Sequence, residues 1–192
     1  MTRFFLDTEF TGLRQDTTLI SIGIVSEDGT TFYAELTDYD KTQINQWLLD
    51  NVIPHLKYNA SRHRYREARP NIHDRHNLSM CDNMEGVSTQ LLMWLSQYEG
   101  PYKFVVDVGQ YDWVLFNELC ANRQIGYSVA NDARDKIDYI PTEFSTLLEA
   151  AGMDPDMDRS NYAKTLSTVA EESHNALSDA KVLAECYKKL TS

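Results

Sequence analysis

The chain has 192 residues, long enough for one well-buried core and short for several, with 42% hydrophobic and 24% charged residues, an ordinary balance for a folded globular protein. No low-complexity tract or fixed-period repeat is present, which excludes disorder and solenoids, and the longest apolar stretch, around Leu19 to Val25, falls far short of the roughly 20 residues that cross a bilayer. The net charge of −11 argues against nucleic-acid binding through general basicity, yet it suits a site of clustered carboxylates in which metal ions present positive charge to phosphate.

The first residues reach an acid at Asp7 without a long apolar core or a small-residue cleavage site, so a cytoplasmic address is expected. Arg3 to Asp7 reads as a short buried strand ending in that acid. Thr18 to Ser26 is β-branched and apolar, and Glu27-Asp28-Gly29 turns into a strand over Thr30 to Leu36, which predicts an antiparallel meander. Asp40 is positioned to cap a helix from Lys41 with Gln43 three residues on, and Ile44, Trp47, Leu48 and Val52 form its apolar face before Pro54. Residues 57–83 are polar, basic and aromatic without periodicity, and read as an irregular basic insertion into a single domain spanning 1–192. Five arginines (62, 64, 66, 69 and 75) stand there against Glu67 and Asp74.

Val87, Leu91, Trp94, Leu95 and Tyr98 have helical spacing up to the stop at Gly100-Pro101. Tyr102 to Asp107 is a strand, and Tyr111 to Asn122 a helix with Trp113, Phe116 and Leu119 inward. Ile137 to Ile140 reads as a last strand, Pro141 to Ala151 as a helix with proline in its first turn and Gly152 past its end, and Asn175 to Leu190 as the final helix. The expected class is α/β, with a mixed five-stranded sheet, an antiparallel meander plus parallel strands, flanked by helices. Three scattered cysteines, Cys81, Cys120 and Cys186, lack the spacing of a zinc site or a disulfide frame.

Asp7 and Glu9, two residues apart in extended backbone, point to one side. Two anions together at a strand end favour a hard divalent cation with oxygen ligands; the alternative is a pair of solvated loop acids. His174 and Asp179 cannot share a face of one helix, since five steps of about 100° set them roughly 140° apart. They can share a site if His174 lies on the loop before the helix and Asp179 in its early turns. Otherwise Asp179 is a first-turn acid favoured by the helix dipole. Asp112 begins a helix after a buried strand, with Asp107 at the strand end as its competitor.

Four carboxylates and a histidine in this order resemble the DEDDh exonucleases, the superfamily of ribonuclease T, oligoribonuclease and proofreading exonuclease subunits. The matching stretches are DTEFTGL from Asp7 to Leu13, GQYDWVLF from Gly109 to Phe116, and HNALSDA from His174 to Ala180. With its arginine-rich insertion, the chain is similar more narrowly to a small bacterial and phage branch of ribonuclease-T-like 3′ exoribonucleases. The resemblance implies a ribonuclease-H-like fold and a metal-dependent 3′-5′ exonuclease that releases 5′-mononucleotides from single-stranded 3′ ends, RNA being favoured over DNA. It implies two Mg²⁺ or Mn²⁺ ions held by Asp7, Glu9, Asp112 and Asp179, with His174 as the catalytic general base. It further implies a homodimer.

By the same resemblance, the backbone around Thr11 and Gly12 meets the terminal nucleotide and Leu13 wedges against its base; the alternative is a tight turn with one buried leucine. Phe10 is a further stacking candidate, and Glu9 or an amide near Thr11 a candidate contact to a 2′-hydroxyl. Arg62, Arg64, Arg66 and Arg69 offer a track for a phosphate backbone, with Tyr58 and Tyr65 as stacking rings; a solvated charged loop or a subunit contact is the alternative. Two other classes compete with the nuclease: a catalytically silent nucleic-acid-binding module of this fold, and a metal-dependent phosphatase on small molecules.

Overall fold

The computed structural model describes residues 1–58, 77–121, 133–163 and 174–192. Its centre is a six-stranded sheet in the order β4-β3-β2-β1-β5-β6. The strands are β1 (Thr2–Phe10), β2 (Leu19–Ser26), β3 (Thr31–Leu36), β4 (Asn77–Asp82), β5 (Tyr102–Val106) and β6 (Thr142–Glu143). The meander β1-β2-β3 is antiparallel, while β4, β5 and β6 join in parallel.

Helices cover both faces. Phe4, Leu6 and Ile22 point to the side covered by α2 (Met84–Leu95) and α3 (Gln110–Ala121), where Phe4 meets Trp94, Tyr98, Tyr102 and Phe104 with ring centroids 5.1–5.6 Å apart. Aromatic pairs of this kind contribute about 0.5–1.5 kcal/mol each beyond the burial of their area. Phe5, Val25 and Val105 point the other way, onto α4 (Phe144–Ala150), α5 (Arg159–Ala163) and α6 (Ala176–Thr191). The alternation along β1 therefore sends odd-numbered residues toward α6 and even-numbered ones toward α3. A smaller cluster of Ile20, Leu48, Val52 and Leu56 seats α1 (Gln46–Asn51) beside the sheet.

Four expectations are corrected. The sheet has six strands, because Asn77–Asp82, inside the stretch expected to be irregular, pairs in parallel with Thr31–Leu36. Polar composition hid this strand, which is an edge with only Met80 and Cys81 buried. Residues 59–76, with Arg62, Arg64, Tyr65, Arg66 and Arg69, lie outside the described residues. Second, Ile137 makes a single bridge to Tyr102, and the edge strand is Thr142–Glu143 against Val105–Val106. Tyr139 and Ile140 are exposed, and Asp138 is drawn into an ion pair with Lys103. Third, α4 begins at Phe144, because the preceding two residues pair with the sheet.

Fourth, the helix expected from Lys41 is broken into a 3-10 turn at Lys41–Gln43, α1, and a second turn at Ile53–His55. Asn45 caps α1 by accepting from the Leu48 amide. Gln43 makes no capping box; its side chain accepts from the Thr11 hydroxyl and donates to the Asp16 carbonyl at 2.9 Å. The three cysteines are free and buried. Among the described residues no helix is long and apolar enough to cross a membrane.

Candidate active site

Asp7 and Glu9 lie on the α6 side of β1, and Asp179 enters from the first turn of α6. One carboxylate oxygen from each falls within 4.8 Å of the other two. Gly23 makes this approach possible. It pairs directly with Asp7 across β1-β2, and a Cβ at position 23 would stand 2.3 Å from the Ala176 carbonyl and the Leu177 nitrogen. The N-terminus of α6 thus rests on bare backbone next to Asp7. An isolated glycine in an otherwise β-branched strand is a mark of close backbone approach, and Leu19–Ser26 carried it unread. Gly23→Ala is expected to push α6 away, lowering the melting temperature by roughly 3–10 °C through overpacking and weakening divalent-metal binding more than about tenfold. Unchanged metal affinity in a calorimetric titration would refute this role.

His174 precedes α6, and Asn175 caps the helix by accepting from the Ser178 amide at 3.2 Å. The Asn175 amide group donates to the His55 carbonyl at 2.9 Å and tethers the residue after His174 to the strap beyond α1. His174 itself has a positive φ of 62°, a left-handed conformation unusual for a residue with a Cβ. Its backbone N–H donates to Asp179 Oδ2 at 2.9 Å, and its ring meets Trp47 edge-on with centroids 5.2 Å apart. Trp47, expected on the buried face of a helix, is 53% exposed and serves instead as a wall for the imidazole.

Asp112 reaches the same strand from the opposite face. It is buried in the first turn of α3, and its Oδ1 accepts from the Thr8 N–H at 2.9 Å and the Thr8 hydroxyl at 2.5 Å. Thr8, which sequence reasoning passed over between the two acids, clamps Asp112 beside Asp7. The competing Asp107 is paired with Arg159, whose guanidinium donates to both of its carboxylate oxygens at 2.9–3.1 Å. Asp107 is thus ion-paired and stands outside the three converging carboxylates, although its charge adds to the upward push on Asp7 and Asp112.

Electrostatically the cluster is under-compensated. Burial, then the charges of Asp112, Asp179 and Glu9, push the Asp7 carboxyl well above its ordinary range. Burial, then the charges of Asp179 and Asp112, raise Glu9 to about 8. Burial raises Asp112 to about 6 against the pull of the Thr8 hydrogen bonds, and Asp179 to about 6 against the His174 amide and the charge of His55. The Ser21 hydroxyl, which faces Glu9 across β1-β2, is buried with no hydrogen-bond partner among the described residues. Converging hard oxygen donors, repelling one another beside an orphaned hydroxyl, fit a divalent cation with bound water.

The sign of the pH effect follows. These acids hold protons more tightly in the folded chain than in the unfolded one, so their contribution to stability is full below about pH 4 and is lost as pH rises through 6 to 8. The metal-free protein is expected to melt lower at pH 8 than at pH 5. Mg²⁺ or Mn²⁺ at about 100 times its dissociation constant should restore roughly 5–10 °C at pH 8 and much less at pH 5, where protons compete. Thermal melts in EDTA and in metal at both values check this; equal metal responses would argue against a carboxylate-held cation.

The turn after β1 carries the expected substrate residues. Leu13 is 79% exposed, which discards the buried-leucine alternative. Thr11 is buried, and its amide donates to the Thr18 carbonyl at 3.0 Å; the Gly12 amide donates to the Thr17 hydroxyl at 3.1 Å. Both amides are thus engaged. Phe10 is stacked on Tyr111 with centroids 5.3 Å apart, so one ring face is covered. Tyr58 is tied by its hydroxyl to Ser79 and by its amide to Glu35.

A family model described as the 3′-5′ exoribonuclease Rv2179c-like domain matches residues 2–191. Two curated relatives, the 3′-5′ exoribonucleases MT2234.1 and Rv2179c of two Mycobacterium tuberculosis strains, are each 42% identical over 59 residues, 31% of this chain and 35% of the relative. The aligned stretch thus spans about a third of the curated relatives' length. Among solved structures, S. pombe Pop2p in its Mg²⁺- and Mn²⁺-bound form is similar in fold, with a TM-score of 0.56 at 12% identity over 99% of this chain and 82% of that one. The catalytic unit of Neurospora crassa Pan2 superposes with a TM-score of 0.55 at 14% identity over 99% of this chain and 27% of that one.

Proposed function

The chain belongs to the family of 3′-5′ exoribonuclease Rv2179c-like domains, within the DEDDh exonucleases, and on that premise we propose that it removes 5′-mononucleotides stepwise from the 3′ end of single-stranded RNA. The observation that carries the reading is the convergence of Asp7, Glu9 and Asp179 within 4.8 Å, with the His174 amide bound to Asp179. In this reading Asp7, Glu9, Asp112 and Asp179 would together hold two divalent ions. The metal complement is supported by the Mg²⁺ and Mn²⁺ bound to the similarly folded Pop2p, and RNA by the named activity of the mycobacterial relatives.

Bound there, a divalent metal would offset the phosphate's negative charge and make the attacking water easier to deprotonate. His174 takes the proton of the attacking water, its ring oriented by Trp47 and its backbone fixed on Asp179. Leu13 packs against the terminal base from the exposed turn, and Phe10 lines that side through its stack on Tyr111. Glu9 is the remaining candidate for a 2′-hydroxyl contact, since the Thr11 amide is already engaged. The reading includes Arg64 and Arg66 on the phosphate backbone, a homodimer, and a cytoplasmic address, the last supported by three unpaired cysteines.

The test is a timed digestion of 3′- and 5′-labelled single-stranded RNA and DNA with Mg²⁺ or Mn²⁺, run beside the same protein in EDTA. Stepwise metal-dependent shortening from the 3′ end, faster on RNA, is expected. No cleavage of either polymer would move the weight to a silent nucleic-acid-binding module; faster DNA cleavage would reverse the sugar preference.

A further inference from the structure

Apart from the acid cluster, the structure has a concave site with its own charge. A cavity of about 600 Å³ lies between the start of α6, the β3-β4 edge and the strap after α1. Lys57, Lys181 and His55 line it, and no aspartate or glutamate is among the described residues that do. That is unusual in a chain with 29 acidic side chains against 18 lysines and arginines. Lys57 and Lys181 are exposed, and the Lys57 ammonium is held over the cavity edge by the Ser79 hydroxyl at 3.0 Å.

A buried acid, Glu35, lies on the same face of β3 as the lining Thr31 and Tyr33. Glu35 is 1% exposed beneath Tyr33, and one of its oxygens accepts from the Tyr33 hydroxyl at 2.8 Å and the Tyr58 amide at 2.9 Å. The cavity also has an apolar part, supplied by Pro54, Leu78 and Leu177. Cations beside apolar side chains in a volume of this size suit a ligand with a phosphate at one end and a flat ring at the other. Inorganic phosphate alone would leave most of the space unused. The position is informative too: His55 lies close enough to Asp179 for its charge to act on that carboxylate, and Asn175 lines the cavity while capping the helix that carries Asp179.

We propose that this cavity is a nucleotide-binding pocket outside the acid cluster, in which Lys57, Lys181 and His55 take a phosphate group and the apolar wall takes a base. The occupant is either a free 5′-mononucleotide or one nucleotide of a longer strand, and the two share this chemistry. The inference goes beyond the exonuclease reading, because it rests on side chains that the acid cluster does not use.

Isothermal titration of the full chain in EDTA isolates the pocket, since the metal-free acid cluster repels phosphate. The ligands are AMP, adenosine and the 5′-phosphorylated trinucleotide pApApA, and the variants are Lys57→Gln and Lys181→Gln, which keep most of each stem. AMP or pApApA is expected to bind, adenosine at least about tenfold more weakly, and each variant should lose about five- to tenfold in affinity. AMP and pApApA binding alike identifies a free mononucleotide as the occupant; pApApA binding alone identifies the strand. Absence of binding by both, or binding indifferent to both lysines, overturns the proposal. Because the titration is run without metal, its failure would leave the exonuclease reading intact, and a failed digestion would leave the pocket intact.

Discussion

Asp7→Asn is expected to abolish metal-dependent nucleotide release, by at least about 10⁴-fold, while raising the melting temperature of the metal-free protein by roughly 2–8 °C at pH 8. Both effects come from one carboxylate. Asp7 is raised by burial and then by the negative charges of Asp112, Asp179 and Glu9, so in the absence of a cation its ionised form works against the fold. Asparagine keeps the shape of the side chain and removes the repulsion, and with it the attraction for metal. The measurement pairs digestion of 3′-labelled RNA with calorimetry in EDTA. A variant that melts lower than the wild type in EDTA would mean that Asp7 is satisfied by partners within the protein and has no electrostatic need of a metal. A variant that still releases nucleotides would remove Asp7 from the chemistry.

His174→Gly separates a chemical role from a structural one. His174 holds a φ of 62°, which costs a residue with a Cβ about 1–2 kcal/mol and glycine almost nothing. Glycine keeps the backbone N–H that donates to Asp179. The expected result is a melting temperature equal to or a few degrees above that of the wild type, together with a loss of about 10²–10⁴ in the rate of nucleotide release. Added imidazole should return part of that rate. His174→Ala, which keeps the strained backbone and loses the edge contact with Trp47, should melt lower than His174→Gly. If the glycine variant loses activity only in proportion to a loss of folded protein, or ignores imidazole at full folding, His174 is a structural residue. The general-base assignment then fails.

The acids of this site are set against the stability of the metal-free chain. Local strain at His174 and mutual repulsion at Asp7 both occur at the N-terminus of α6, next to Gly23. Function and stability are therefore expected to part company here, with substitutions that harm catalysis and help folding. The clamp between Asp107 and Arg159 is the opposite case. Its removal should cost stability, since it joins the end of β5 to α5 without belonging to the acid cluster.

The sequence by itself determined the meander, the alternation that sends Asp7 and Glu9 to one face, and the break between His174 and the helix carrying Asp179. Those depend on near-neighbour geometry: a strand repeats every two residues and a helix every 3.6, and both periods are written in the order of apolar side chains. Strand β4 escaped because an edge strand with few buried residues has no periodic signal strong enough to stand above a polar background. The tertiary structure alone decided that Gly23 lies under α6, that Thr8 holds Asp112, that Arg159 pairs with Asp107, and that Trp47 faces His174 and leaves the core. Each of these joins residues far apart in the chain, between 23 and 176, 8 and 112, 107 and 159, and 47 and 174. Composition and spacing specify what a segment can form. Which distant carboxylate finds a cation, a hydroxyl or another carboxylate is set only when the sheet brings their elements together.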